Sequence, residues 1–554
     1  MRTPTRTLLA ATVGVAAVLA TAVVASPPRS QAASPRHSDP DEALARSVCS
    51  HCHAFPPPDS LPRRNWGTVA YEMAGLMIGG IGAPRGLPPP SIDFDVDRVI
   101  RYYESRAPRS LASPEPWPAP EAGPGRFSRR SFRPSGTSAS PSVSNVAFHD
   151  LDGKGRPRIV ATDMVAGLVL GGDPALAAAG LEVLGRVPNP ARSTAVDLDG
   201  DGRTDLVVAD LGDVPPGDHA KGTVTWLRRG ATGAFEAVVL AAGLPRVADV
   251  QAGDFDSDGD LDLVVAAFGW RETGGIWLLE NRTRDWSEPS FLPRQVDDRP
   301  GAINVPVADL DGDGRLDFVA LLAQHVEAVV AFLGDGRGGF RRQTIDEAPH
   351  PAWGSSGLSL VDFDGDGDLD GLVTNGDMLD DFLLKPYHGI RWLENRGGFP
   401  FVPHSLANLP GVHGAQAVDL DGDGDLDVVA CAFVFFGRDG GRPQAVADQP
   451  SLVWLERTGP GRFARHTLEM GAQHVSLDVA DYDRDGDMDI VVGNFRGGRA
   501  WVEVWEGTTA RPREAFRTRR GCGRPRRSSP APPWGEQVLV VPGAETTSHV
   551  DAEY

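Results

Sequence analysis

Residues 362–370 read Asp-Phe-Asp-Gly-Asp-Gly-Asp-Leu-Asp, and close copies begin at Asp197, Asp254, Asp309, Asp419 and Asp481. All six carry Asp at positions 1, 3, 5 and 9 and Gly at position 6. Ca²⁺ is a hard ion that takes six to eight oxygens, and Asp at alternate positions converges carboxylates on one point while Gly makes the sharp turn. The expected metal ligands are Asp197, Asp199, Asp201 and Asp205; Asp254, Asp256, Asp258 and Asp262; and Asp309, Asp311, Asp313 and Asp317. The same positions in the later copies are Asp362, Asp364, Asp366 and Asp370; Asp419, Asp421, Asp423 and Asp427; and Asp481, Asp483, Asp485 and Asp489. An EF-hand would need Glu at position 12 and flanking helices, whereas the twelfth residues here sit in short apolar runs such as Leu206-Val207-Val208. Such runs read as strands, so each loop is expected to turn a β-hairpin.

Asp-Gly clusters are commonly just solvated turns. Here four or five carboxylates within nine residues repel by roughly 1 to 4 kcal/mol per close pair, and only a bound cation repays that six times over. A seventh copy, Asp150 to Arg158, places Lys154 and Arg158 at positions 5 and 9 and is expected to be a hairpin without metal. The net charge of −21 follows from these loops, which hold 28 Asp against Arg203, Arg315 and Arg484. That acidity belongs to metal sites and argues against nucleic-acid binding, which needs a basic stripe.

At 554 residues and 41% hydrophobic content, the chain predicts a globular protein of at least two domains. Arg2 and Arg6 precede an apolar run from Leu8 to Ala25, which reads as a secretory signal peptide over 1–25, with an uncleaved membrane anchor as the alternative. Either way the chain is expected to be exported, to the periplasm, the cell surface or the medium, with membrane contact only if the signal stays. Residues 26–39 read as a linker.

Four cysteines, at 49, 52, 431 and 522, are too few for a disulfide scaffold, and the first two form Cys49-Ser50-His51-Cys52-His53. In an exported chain this motif reads as covalent attachment of haem c by Cys49 and Cys52, with His53 on the iron. Zinc would need two further ligands at finger-like spacing, and the next Cys and His are at 431 and 149. Helices are expected after Asp39 or Asp41, after Asn65 and after Asp95, the last ending at Pro108. The unit 40–108, three helices around one Cys-x-x-Cys-His, resembles a class I cytochrome c domain. The resemblance implies a sixth ligand, for which Met73 and Met77 are the candidates; both also suit plain packing of a helix face, and a vacant sixth position stays open.

A Pro-rich linker, 109–122, leads to the repeat region, 123–507. Between acidic loops a second signature returns, at Trp226, Trp277, Trp392 and Trp454, followed by a Gly-rich turn and Phe235, Phe340, Phe399 or Phe463. These are expected to be third and fourth strands, giving seven four-stranded units and a β-propeller. The acidic loops and their spacing resemble the FG-GAP/VCBS repeat family of integrin-α-like calcium propellers. The fold expected is thus mainly β, a seven-bladed propeller with a small all-α unit at its N-terminal side. Gly123-Pro-Gly-Arg-Phe127 repeats Gly459-Pro-Gly-Arg-Phe463, which implies that residues 125–133 supply the missing fourth strand of the last blade. Residues 508–554, Arg-rich and then Pro-rich, read as a disordered or chain-specific tail.

The function expected is an exported monohaem electron-transfer protein whose propeller binds a redox partner protein or an extracellular ligand. The alternatives are a propeller enzyme, quinohaemoprotein-like or polysaccharide-active, and a surface adhesion protein. The propeller shows no nucleophile elbow, phosphate loop or zinc-protease motif, so no catalytic residue is assigned. His413, His474, Trp353 and Asn304 each precede a loop-bearing strand and are candidates to ring one mouth of the channel, although residues in such places more often serve structure.

Overall fold

The computed structural model describes residues 39–51, 53–78, 95–120, 126–137, 139–176, 180–434, 447–496 and 500–508. The signal peptide, the linker before Asp39, Cys52 and the tail beyond Thr508 lie outside the described residues.

The acidic hairpins set the architecture. In each of the six, position 9 is the first residue of a strand: Asp205–Asp210, Asp262–Ala267, Asp317–Ala323, Asp370–Asn375, Asp427–Ala432 and Asp489–Asn494. Each of these pairs antiparallel with the strand before its loop and with the one that follows. The result is seven antiparallel sheets, four-stranded except that the first strand of blade 4 is split into Ala302–Asn304 and Val307–Ala308. First strands, among them Val143–His149, Pro190–Val196 and His474–Ala480, lie next to one another around the ring, so the molecule is a seven-bladed β-propeller. Second strands are buried on both faces, which is why they read as continuous apolar runs such as Leu206-Val207-Val208-Ala209.

The ring closes through the segment the repeated sequence pointed to. Strand Phe127–Phe132 pairs antiparallel with Val502–Gly507 and completes blade 7 from the N-terminal side, in register Phe127 to Gly507 and Phe132 to Val502. Gly123 to Gly125, the start of that repeated stretch, lie outside the described residues. Of the aromatic residues expected to open fourth strands, Phe235 and Phe340 do so, and Phe463 is the second residue of Arg462–Met470. Phe399 does not: the strand begins at Val402, and Phe399 stays in the preceding turn, where it stacks on Phe401 at 5.5 Å.

Before the propeller come three helices, α1 (Pro40–Cys49), α2 (Arg63–Ile78) and α3 (Val96–Arg106). Asp39 caps α1 by accepting from Asp41 N at 2.9 Å, and Asp95 caps α3 by accepting from Arg98 N at 3.1 Å. Asn65 is not the cap of α2, which starts two residues earlier, with Arg63 N donating to Pro108 O. The three helices close on Ala45, Leu61, Trp66, Val99, Tyr102 and Tyr103. The Trp66 and Tyr103 rings stack at 3.8 Å, and Arg98 ties α3 to Asp41 of α1 at 2.7 Å. No helix among the described residues is long and apolar enough to cross a membrane.

Candidate metal loops and the helical unit

The six acidic loops share one backbone scaffold. Position 6 has a left-handed φ, from +83° at Gly202 to +100° at Gly424, which an L side chain adopts only at a cost. Its N–H donates to Oδ2 of position 1 in every loop, at 2.8 Å for Gly202 to Asp197 and 3.0 Å for Gly367 to Asp362. Position 5 then accepts from the N–H of position 7, as Asp366 does from Asp368 N at 2.9 Å. These bonds orient the carboxylates of positions 1, 3 and 5 inwards. Ligand atoms of Asp254, Asp256 and Asp258, and of Asp362, Asp364 and Asp366, lie within 4.8 Å of one another. Asp256, Asp419 and Asp481 each keep one buried carboxylate oxygen without a hydrogen-bond partner. Such convergence of hard oxygens could hold a divalent cation.

Position 9 has a second task that the sequence did not reveal. Asp317 accepts from Leu310 N at 2.9 Å and from Gly334 N at 2.7 Å, tying the loop to the end of the third strand. Asp427 does the same with Leu420 N and Arg457 N, and also accepts from the Trp454 indole N–H at 2.9 Å. Burial first, then the neighbouring carboxylates, pushes Asp317 and Asp427 up to about 6, Asp262 to about 7 and Asp489 to about 8. Without a cation these groups resist ionisation well above the usual carboxylate range.

The degenerate loop keeps the scaffold and meets a side-chain guanidinium. Asp150 still accepts from Lys154 N and Gly155 N. Arg229, from the third strand of blade 2, reaches in to donate to Leu151 O and to the Asp152 carboxylate, holding Asp152 below its ordinary range. A guanidinium thus stands where the other loops converge oxygens. Two of the acidic loops are also countered closely by protein: Arg203 pairs with Asp201 and Arg228 with Asp199 at 2.6 Å, and Arg315 pairs with Asp313. In a third, Arg126 stands further off, 3.8 Å from Asp421.

In the helical unit, Cys49 ends α1 with a free thiol beside the Tyr103 hydroxyl, and burial pushes that thiol up. His53 Nδ1 lies 2.8 Å from Ala54 O, which fixes Nδ1 as the protonated nitrogen and leaves Nε2 as the lone-pair donor. Burial lowers the His53 pKa, favouring the neutral ring a metal requires. Met73 and Met77 lie half-buried on α2, outside the packed cluster.

The helical unit is docked on the propeller face opposite the acidic loops. Tyr387 OH shares its proton between Ser60 O at 3.0 Å and Ala352 O at 3.1 Å, and Ala352 and Leu383 pack against the helical core. Trp353 stacks on Tyr387 with ring planes 4° apart, and Lys385, 2% exposed, bonds Ala352 O and Asp381. Of the other residues expected near the channel mouth, His474 and Asn304 are buried, and His474 is pinned between Gly493 O and Glu469. His413 is half-buried, with Nδ1 on Gly411 O at 2.9 Å. The linker is not a free spacer either. Trp117 packs between blades 5 and 6 and donates to Asn408 O at 2.9 Å, while Glu115 pairs with Arg465. The signal available for that seat was a lone Trp in a Pro-rich run.

A family model described as FG-GAP-like repeat matches residues 172–265, 309–373, 374–430 and 435–492. No curated protein matches the sequence. Among solved structures, BBS1N in complex with ARL6DN, soaked with lead, is 12% identical over 70% of this chain and 98% of that one, with a TM-score of 0.42. The Dos1 propeller is 10% identical over 66% of this chain and 77% of that one, with a TM-score of 0.38. With the repeat model matched across blades whose first hairpins carry the acidic turn, the chain is a seven-bladed β-propeller of FG-GAP-like repeats.

Proposed function

We propose that this chain is an exported electron-transfer protein, in which a monohaem cytochrome c unit, 40–108, rides on a calcium-stabilised propeller that binds a redox partner or an extracellular ligand. The observation that carries the reading is His53, whose Nδ1 is committed to a backbone carbonyl beside a free Cys49 thiol at the end of α1. Cys49 and Cys52 would hold the porphyrin by thioether bonds, and His53 with Met73 or Met77 would hold its iron. Haem supplies a one-electron couple, and a thioether ligand raises its potential. This chain's residues would set the rest: Tyr103, Trp66 and Phe55, packed together in the helical core, would give the group an apolar flank, and Tyr387 ties the unit to the propeller. The six acidic loops would bind Ca²⁺ as a folding element rather than a reaction centre, because each joins two strands of one blade.

The test is a haem spectrum of the full chain matured in an export-competent host with cytochrome c assembly. Covalent haem that is low-spin, and that becomes high-spin in the Met73→Ala, Met77→Ala double variant, is the expected result. Absence of covalent haem would remove electron transfer and leave a calcium-dependent adhesion or binding protein as the reading.

A further inference from the structure

One register position at the end of the third strand decides what meets the acidic loop of the preceding blade. Arg229 in blade 2 faces Phe235, Arg457 in blade 6 faces Phe463 and Gly334 in blade 4 faces Phe340. Each donates its N–H to the position-9 Asp of its own blade. In blades 2 and 6 the arginine side chain then crosses to the preceding loop and donates to the carbonyl of position 2, Leu151 O or Phe363 O. In blade 4 no side chain can cross, because a Cβ on Gly334 would meet Leu316 O at 2.2 Å. The turn Asp335-Gly-Arg-Gly-Gly339 takes over with its backbone, and Gly338 N donates to Phe255 O at 2.9 Å. Gly338 has a φ of +75°, and a Cβ there would touch Arg294 Nη2, Leu278 Cδ2 and Asp256 Cβ at 3.6 to 3.8 Å. Beside this bare turn a cleft of about 220 Å³ opens between blades 3 and 4.

The lining combines the guanidinium groups of Arg294 and Arg337 with the carboxylates of Asp256, Glu280 and Asp335 and one apolar side chain, Leu278. Asp335 accepts from Arg337 N and Gly339 N through Oδ1, and Glu280 meets Arg282 through Oε1. Among the described residues the second oxygen of each bears no hydrogen bond, so each can accept a hydroxyl. Asp256 belongs both to this lining and to the carboxylates of Asp254, Asp256 and Asp258, whose ligand atoms lie within 4.8 Å of one another, and its Oδ1 is buried without a partner. Ca²⁺ takes six to eight oxygens, so an ion held by this loop can also take one from a ligand. A simple anion, or the side chain of an acidic peptide, would be repelled by Glu280 and Asp335 and bring no hydroxyl for them. A neutral sugar would leave both guanidinium groups unused. A ligand with one carboxylate and several hydroxyls uses every group. The volume, below the roughly 300 to 1,000 Å³ of a drug-sized site, holds one ring rather than a chain.

We propose that this cleft binds a sugar acid, a hexuronate, whose carboxylate is taken by Arg294, Arg337 and the cation of loop 254–262, and whose hydroxyls donate to Glu280 and Asp335. The inference deepens the extracellular-ligand part of the function proposed above and rests on the acidic loops being calcium sites. Planar guanidinium groups suit a carboxylate, and carboxylate oxygens are strong acceptors for hydroxyls.

Titration calorimetry of the full chain with glucuronate tests this, with bound Ca²⁺ counted on the same samples by atomic emission. Glucuronate is expected to bind in Ca²⁺ and to lose binding on chelation, with glucose, acetate and a diglutamate peptide each at least about tenfold weaker. Arg337→Ala and Glu280→Gln should each weaken glucuronate about tenfold while the Ca²⁺ count stays at the wild-type number. Asp256→Ala should lose one ion and glucuronate together. The count separates the two readings: a chain that takes up no Ca²⁺ overturns the calcium sites and the proposal with them, whereas Ca²⁺ uptake without glucuronate binding overturns the cleft alone. Acetate or diglutamate binding as tightly as glucuronate, binding that survives the chelator, or binding that both substitutions leave unchanged, would each overturn the assignment as well.

Discussion

The Arg229 guanidinium bonds Leu151 O and Asp152, so the seventh loop carries its own cation and needs none from solution. Among the described residues Asp364 has no such ion-pair partner, and it sits among Asp362, Asp366 and Asp370 with its pKa raised by burial and by Asp366. The two loops should therefore respond differently to chelation. Asp364→Ala is expected to lower the melting temperature in Ca²⁺ and to have little effect once a chelator is present. Asp152→Ala should cost about 1 kcal/mol, the scale of a partly exposed ion pair, equally with and without the chelator. Melting curves of both variants under both conditions check this, and an Asp152→Ala effect that vanished on chelation would assign a metal to the seventh loop. The same logic orders the six acidic loops: those at Asp197 and Asp309, already met closely by arginines, should fill last in a Ca²⁺ titration followed residue by residue.

At the scale of elements, the connection from blade 4 to blade 5 is held by a buried carboxyl. Glu327 opens the third strand of blade 4 and accepts from Ser355 N at 2.7 Å and Gly354 N at 3.2 Å. Burial pushes it up to about 7, only partly opposed by those two N–H groups and by Lys385. A folded-state pKa above the unfolded value means that the folded protein binds the extra proton. That contribution is whole below the unfolded pKa near 4.5 and is lost as pH rises through about 7. Glu327→Gln keeps an acceptor oxygen without the charge, so its stability relative to wild type should grow between pH 4.5 and 7, by on the order of 2 to 3 kcal/mol. Chemical denaturation of both proteins at several pH values measures the difference; a constant difference would mean that Glu327 stays charged. The element scale is also where the sequence was most and least legible. The Asp and Trp signatures announced strand, loop and blade because each is written within about ten neighbouring residues. Arg229 onto Asp152, Trp117 onto Asn408 and Tyr387 onto Ser60 join residues 77, 291 and 327 positions apart, and no local pattern encodes such meetings. The strand that begins at Phe127 is equally remote from its partner, yet it was legible, because Gly459-Pro-Gly-Arg-Phe463 supplied a second copy with which Gly123-Pro-Gly-Arg-Phe127 could be compared.

For the whole molecule the decisive contact is the one that closes the ring. Phe127–Phe132 reaches blade 7 from the far end of the domain, and its side chains lock the join: Arg129 bonds Glu469 at 2.7 Å and also pairs with Glu503, while Arg130 bonds Glu506 at 2.7 Å. Glu469 in turn holds His474 at 2.7 Å on the innermost strand, so one cluster runs from the rim of blade 7 to the channel. Glu469, His474 and Glu503 are close enough to suggest a metal site, but Arg129 already stands between the two carboxylates. Arg129→Ala leaves Glu503 and Glu469, the latter still bonded to His474 and both largely covered, facing each other without the guanidinium. The cost should be about 1 to 2 kcal/mol, somewhat above an exposed ion pair because both carboxylates are largely covered although Arg129 itself is exposed. Adding Glu503→Gln to that variant should recover part of the loss, because the repulsion goes while the acceptor stays. A propeller whose ends are joined in one blade cannot lose that blade's outer strand without exposing the seams on both sides. Deleting Gly123 to Arg133 is therefore expected to lower the unfolding temperature of the entire propeller in one transition, whereas removing Arg511 to Tyr554 should leave that transition in place. Calorimetry of the two truncated chains separates the cases. An unchanged transition after the first deletion would mean that blade 7 is stable with three strands and that the ring is held by its inner strands alone.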